Sequence, residues 1–180
     1  MSVSPGYLLT MTDAGAYVGG MMVCDHYGIP KDFKYTDPIV PNKIQRIIYG
    51  NVLDKYIRNH VLFGALLKEI SGNPSFIVVP TLQIDEMEAQ ANQVFVSIQR
   101  TQMNGLGEKG QIMRAKENEC LLQGWHSENP YRLVFNDLDP AQQDRTLKDL
   151  LALVRTMDIA EPMERLEKAL RAVCLEKNAD

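Results

Sequence analysis

The residues best equipped for chemistry cluster where the chain leaves Tyr35 and enters the stretch from Asn42 to Gly50: Tyr35, Lys43, Gln45, Arg46 and Tyr49. Lys43, Gln45 and Arg46 fall in the first turns of an expected helix, where free backbone amides already favour an anion. Two cationic side chains, an amide and two phenols in that setting suit a phosphate or carboxylate group. The same residues also have structural uses. Gln45 can close a capping box with Asn42, Arg46 can be solvated, and the tyrosines can fill a seam between sheet and helix. Both readings fit the residues.

Other reactive types are placed less pointedly. Gly105-Leu-Gly-Glu-Lys-Gly110 spells GxGxxG, but no amphipathic helix follows, so a mobile hairpin loop is expected rather than a dinucleotide fingerprint. Whether that loop orders on binding is not legible from the residues. His26 stands beside Asp25 in a turn, a pairing that can orient a general base but is also ordinary turn chemistry. His60 falls on an apolar helical stripe and is expected to be a hydrogen-bonded core histidine, and His126 to end a hairpin. Asp13, Asp25, Asp32 and Asp37 could meet at one end of the early sheet. No GxSxG, HExxH or CxxC spacing occurs, so no catalytic residue, metal ligand set or cofactor is assigned.

The elements that must position these groups follow from periodicity and punctuation. Tyr7–Met11, Tyr17–Cys24 and Ile29–Thr36 predict a three-stranded meander, with Gly19-Gly20 marking a bulge or a close backbone approach. Asn42 and Gln45 start a helix whose stripe Ile44, Ile47, Ile48 lies opposite the later stripe Leu53, Tyr56, Ile57, His60, Phe63, Gly64, Leu67. Gly50-Asn51 at the join predicts a break between a short helix, 42–49, and a long one, 52–70, expected to be the most buried element. Strands follow at 76–79, 94–98, 119–125 and 131–135, with a helical turn around 85–91. Asp139-Pro-Ala-Gln142 opens a helix with the stripe Leu147, Leu150, Leu151, Val154, and Asp158–Glu161 opens the last one. The sum is an α/β (α+β) fold over a single domain, 1–180. It has a mixed, largely antiparallel sheet, a long buried helix and two C-terminal helices that pack on the sheet or protrude as a pair, 137–180.

A resemblance covers the first third and the last helix. Gly19, Gly20, Val23, Asp25, Gly28, Pro30, Asp32, Phe33, Tyr35, Thr36 and Pro38, then Gln45, Arg46, Tyr49 and Gly50, resemble the signature of a family of uncharacterised bacterial proteins. Asp158-Ile-Ala-Glu-Pro-Met-Glu-Arg165 is similar as well. The resemblance implies a bacterial, intracellular, single-domain protein and supplies no catalytic residues.

Net charge is −4, with 19 basic and 23 acidic side chains mixed along the chain, which speaks against nucleic acid as a partner. Three widely spaced cysteines and the absence of a long apolar run predict reduced thiols, no membrane span and a cytoplasmic location. Together these readings predict a non-enzymatic accessory subunit of a bacterial assembly, with a protein partner or a homo-oligomeric state. The alternative is a small enzyme or sensor holding an anionic ligand near Tyr35, Arg46 and Tyr49.

Overall fold

Two residues in the left-handed region, Ala14 at φ 48° and Gly15 at φ 80°, turn the chain tightly between its first two strands. These are β1 (Pro5–Asp13) and β2 (Ala16–Cys24), paired from Gly6–Val23 to Asp13–Ala16. The computed structural model describes residues 3–85, 93–136 and 139–175. β3 (Pro30–Tyr35) returns along β2, with a register shift at Val23/Cys24, so the early meander forms as expected. Then come β4 (Phe76–Val78), β5 (Phe95–Arg100), β6 (Ile112–Lys116), β7 (Glu119–Leu122) and β8 (Tyr131–Phe135). All eight join one sheet in the order β3-β2-β1-β4-β5-β8-β7-β6. β1, β4 and β5 run parallel and the remaining pairs antiparallel, which makes the sheet mixed and largely antiparallel.

The helices divide between the faces. α1 (Lys43–Tyr49) is opened by the Asn42–Gln45 capping box, both of whose bonds are 2.9 Å. A 3-10 turn, Gly50–Val52, breaks it from α2, which spans 53–69: Leu53–Tyr56 and Gly64–Glu69 are α-helical and the π-helical Ile57–Phe63 joins them. α3 (Thr81–Ile84) is one turn. α4 (Pro140–Leu153) has Asp139 as its N-cap, and α5 (Glu161–Leu170) continues into a π turn, Arg171–Leu175.

Alternation along the strands feeds two cores. Tyr7, Met22, Val78, Val96 and Leu133 face α4 and α5, whose Leu147, Leu150, Leu153, Leu166 and Leu170 cover them. Leu8, Met21, Val23, Ile77 and Phe95 face α2 through Phe63 and Leu66. The C-terminal helices therefore lie on the sheet. Gly19-Gly20 resolves as close approach on both faces: a Cβ at Gly19 would lie 3.2 Å from Leu62 and Leu66, and one at Gly20 2.7 Å from Leu170 Cδ2.

Three expectations need correction. α2 buries one face only, with Ala65, Lys68 and Glu69 exposed, and β2 is the more fully buried element. His60 is exposed rather than in the core. Its helix runs Leu53, Ile57, Leu62, Leu66 along the buried side, and the five-residue step from Ile57 to Leu62 is the π turn, which rotates His60 outward. Gln111–Asn118, where no element was expected, carries the edge strand β6. Its side chains are mostly exposed, so it lacks the apolar alternation that marks a strand. Of the helical turn expected around 85–91, all but Asp85 lies outside the described residues.

Candidate functional site

In an open α/β sheet, ligands meet the crevice beyond the carboxyl ends of the parallel strands. Here those are the ends of β1, β4 and β5, and a polar group stands there on the α2 face. Gln83 Nε2 donates to Thr10 Oγ1 at 2.9 Å, and Thr81 Oγ1 donates to Ser97 Oγ at 3.2 Å. Thr10 and Ser97 are buried, and all four groups are neutral. At the end of β5 a charged cluster closes the opposite face. Arg100 pairs with Asp158 at 2.7 Å and with Glu164 at 3.1 Å, and Tyr131 Oη donates to Asp158 at 2.9 Å. Burial pushes the Asp158 carboxyl up, but hydrogen bonds from Arg100, Tyr131 and the Ala160 amide outweigh it and hold the group below its ordinary value.

The helical stretch beside this edge is tied to it by named bonds. Arg46 Nη2 donates to the Gly15 carbonyl in the β1–β2 turn and its Nε to the Pro41 carbonyl, both at 3.2 Å. The Tyr17 hydroxyl donates to Asp54, and that bond raises the phenol's pKa. Tyr17 and Ile39 exchange both backbone bonds, at 2.8 and 2.9 Å. α1 and the start of α2 thus border the carboxyl end of β1. Within 42–60 lie Lys43, Arg46, Lys55 and Arg58 against one acid, Asp54, although the whole chain carries −4. The Tyr49 and Tyr56 rings stack at 4.7 Å and 25°, and His60 follows at 5.6 Å from Tyr56. The hydrogen bond that the Tyr49 hydroxyl makes to Tyr56 raises the pKa of the Tyr49 phenol.

The sequence-marked residues divide between two clefts. Gln45 and Tyr49 line a cleft of about 230 Å³ with Leu53, Tyr56 and Ile57, and Arg46 and Lys43 lie on the same helix. Tyr35 lines another, of about 350 Å³, with Lys34, Ala65, Leu66 and Glu69. The Asp25 carboxylate accepts from the Tyr27 and Ile29 amides at 2.8 and 3.0 Å, which lowers its pKa and makes it a turn-former rather than a support for the His26 ring. Asp32 accepts two bonds of 2.6 Å from Ser71. Asp13 ends β1, whereas Asp25 follows the far end of β2, so the four acids do not meet. Among the described residues no group of three or more His, Cys, Asp or Glu could hold a metal ion. Gly105–Gly110 leads into β6, not a helix. Its backbone is held by Leu106 N to Gln123 Oε1 at 3.0 Å and Gly110 N to the Gln123 carbonyl at 2.9 Å.

Sequence reasoning missed Thr10, Thr81, Gln83 and Ser97, which form no motif. The one available signal was a lone serine between apolar neighbours in a buried strand. It also missed Tyr56 and His60 as surface groups, because α-periodicity placed them inside.

The structure therefore combines an open sheet, a polar group at its parallel strand ends and a basic, aromatic helical rim. Several solved structures share this fold. Endonuclease V from Streptomyces avermitilis superposes with a TM-score of 0.58 at 14% identity, covering 100% of this chain and 83% of that one. Endonuclease V from Ciona intestinalis, in complex with a 24mer DNA containing an inosine followed by a ribo-adenosine, gives 0.54 at 11% identity over 95% and 85%. Marinitoga piezophila Argonaute with a 5′ OH guide RNA gives 0.50 at 12% identity, over 97% of this chain but only 30% of that one. No family model and no curated protein matches the sequence. At such identities the likeness is one of fold. It corrects one expectation, the non-enzymatic accessory subunit, because the solved structures that share the fold include endonuclease V. It also corrects the exclusion of nucleic acid as a partner, since neighbours are seen with DNA and RNA. The physical reason is averaging: net charge over a whole chain says nothing about a local excess of four cations over one acid.

Proposed function

We propose that this chain binds nucleic acid along the rim formed by α1 and the start of α2, next to the crevice at the ends of β1, β4 and β5. The observation that carries the reading is the local charge: Lys43, Arg46, Lys55 and Arg58 against Asp54, on the two-helix stretch that Arg46 ties to the β1–β2 turn. Phosphate oxygens are held by such cations and by hydroxyl and amide donors, and these contacts position a strand. Thr10, Thr81, Gln83 and Ser97 supply hydroxyls and an amide. Binding is what those neutral groups can supply unaided, since a general base or a metal would call for titratable ligands. The fold shared with endonuclease V supports the reading. Three free cysteines fit a reducing, cytoplasmic setting.

The test is fluorescence anisotropy of labelled DNA and RNA oligonucleotides over a salt series. Affinity is expected to fall with salt, with a log–log slope of about −0.7 per phosphate engaged on single strands. Lys43→Ala should reduce that slope by about one unit. Absence of binding at low ionic strength overturns the proposal.

A further inference from the structure

Stacking rings at a basic rim point to one form of nucleic acid. We infer that Tyr49, Tyr56 and His60 are a platform for the bases of a single strand. The inference rests on the nucleic-acid reading and narrows it.

Three rings follow one another along one side of the helical stretch, 4.7 Å and 5.6 Å apart centre to centre, with the tyrosine planes within 25° of parallel. Tyr56 is 38% exposed and His60 is exposed, so both rings reach solvent, with one face of Tyr56 taken by Tyr49. The cleft of about 230 Å³ beside Tyr49 and Tyr56 has an apolar floor in Leu53 and Ile57, and Gln45 lines it as well. A base has two π faces and a polar edge. An aromatic ring, an apolar floor and one side-chain amide match those three features.

Charge complementarity selects the occupant. Along the chain the rings are interspersed with Lys43, Arg46, Lys55 and Arg58, the cations expected to track a phosphate backbone. An apolar protein segment would gain nothing from them. A duplex would present phosphates but keep its base faces paired and stacked inside, so the rings would have no partner. Only an unpaired strand offers both phosphates and open faces.

The test compares a fluorescently labelled oligothymidylate, the matching oligouridylate and a blunt duplex of the same length on the whole chain. Single strands are expected to bind more tightly than the duplex. Tyr56→Ala should weaken single-strand binding by about fivefold or more while leaving the salt slope unchanged, because a ring carries no charge. Tyr56→Phe should keep most of the affinity, and His60→Ala should show a smaller loss. Thermal melting of each variant shows that the fold persists. Equal or tighter duplex binding, or a Tyr56→Ala variant that binds like the parent, overturns the platform and leaves the nucleic-acid reading standing. No binding to any of the three probes overturns both.

Discussion

Helices α1 and α4 carry the same apolar spacing and meet opposite fates. Ile44, Ile47 and Ile48 repeat at i, i+3, i+4, as do Leu147, Leu150 and Leu151. Leu147 and Leu150 are buried against the sheet, at 5% and 0% exposure, whereas the three isoleucines stand 61%, 66% and 74% exposed. Pattern therefore says that a helix has an apolar side, not that the side is covered. α1 is held by Arg46 to the Gly15 and Pro41 carbonyls, a polar tether that sets which side faces the sheet. α4 is tethered as well, through Gln143 to Arg114 and to the Glu117 carbonyl, but its fourteen residues span enough of the sheet to bury a continuous stripe.

The sharpest way to break this comparison is truncation on each side. Leu150→Ala should cost about 2–5 kcal/mol in urea unfolding, since it opens a cavity in the α4 core, while Ile48→Ala should stay within about 0.5 kcal/mol. Equal losses would show that α1 is covered after all. Gly20→Ala should cost about 1–3 kcal/mol, because its Cβ would lie 2.7 Å from Leu170 Cδ2 and force α5 off the sheet. Leu170→Ala in the same chain should recover part of that loss. Tyr7→Phe should cost about 1–2 kcal/mol, as the buried Ile159 carbonyl loses its donor at 2.9 Å.

A gentler prediction concerns pH. Asp158 has a folded pKa held below the ordinary carboxylate value, so its contribution is present above the unfolded value and is lost as pH falls through the folded one. Because the pair with Arg100 is partly exposed, the effect is small. Asp158→Asn should lower the melting temperature at neutral pH, and the gap from the parent should close as pH falls through the folded pKa. A gap that persists there would assign the loss to packing instead.

Much of the architecture was legible in the residues. The Asn42–Gln45 box, the break at Gly50, the early meander, the Asp139 cap and the mixed sheet all rest on local rules: capping, glycine freedom and side-chain alternation. The site was less so. Lys43, Gln45, Arg46 and Tyr49 were singled out from type and spacing, but Tyr35 lines a different cleft, and Tyr56 and His60 were placed in the core. A single π turn accounts for His60: one added residue per turn rotates everything after Ile57, and no residue type announces it.

By itself the sequence determined what interactions between near neighbours determine: where helices start and stop, where strands alternate, and that 42–60 holds an excess of cations. Only the tertiary structure decided which apolar stripe is covered, that Gly19 and Gly20 admit helices on opposite faces, and that Thr81 and Gln83 reach Ser97 and Thr10 near the parallel strand ends. Those outcomes depend on contacts between residues far apart in the chain, whose energies no local window contains.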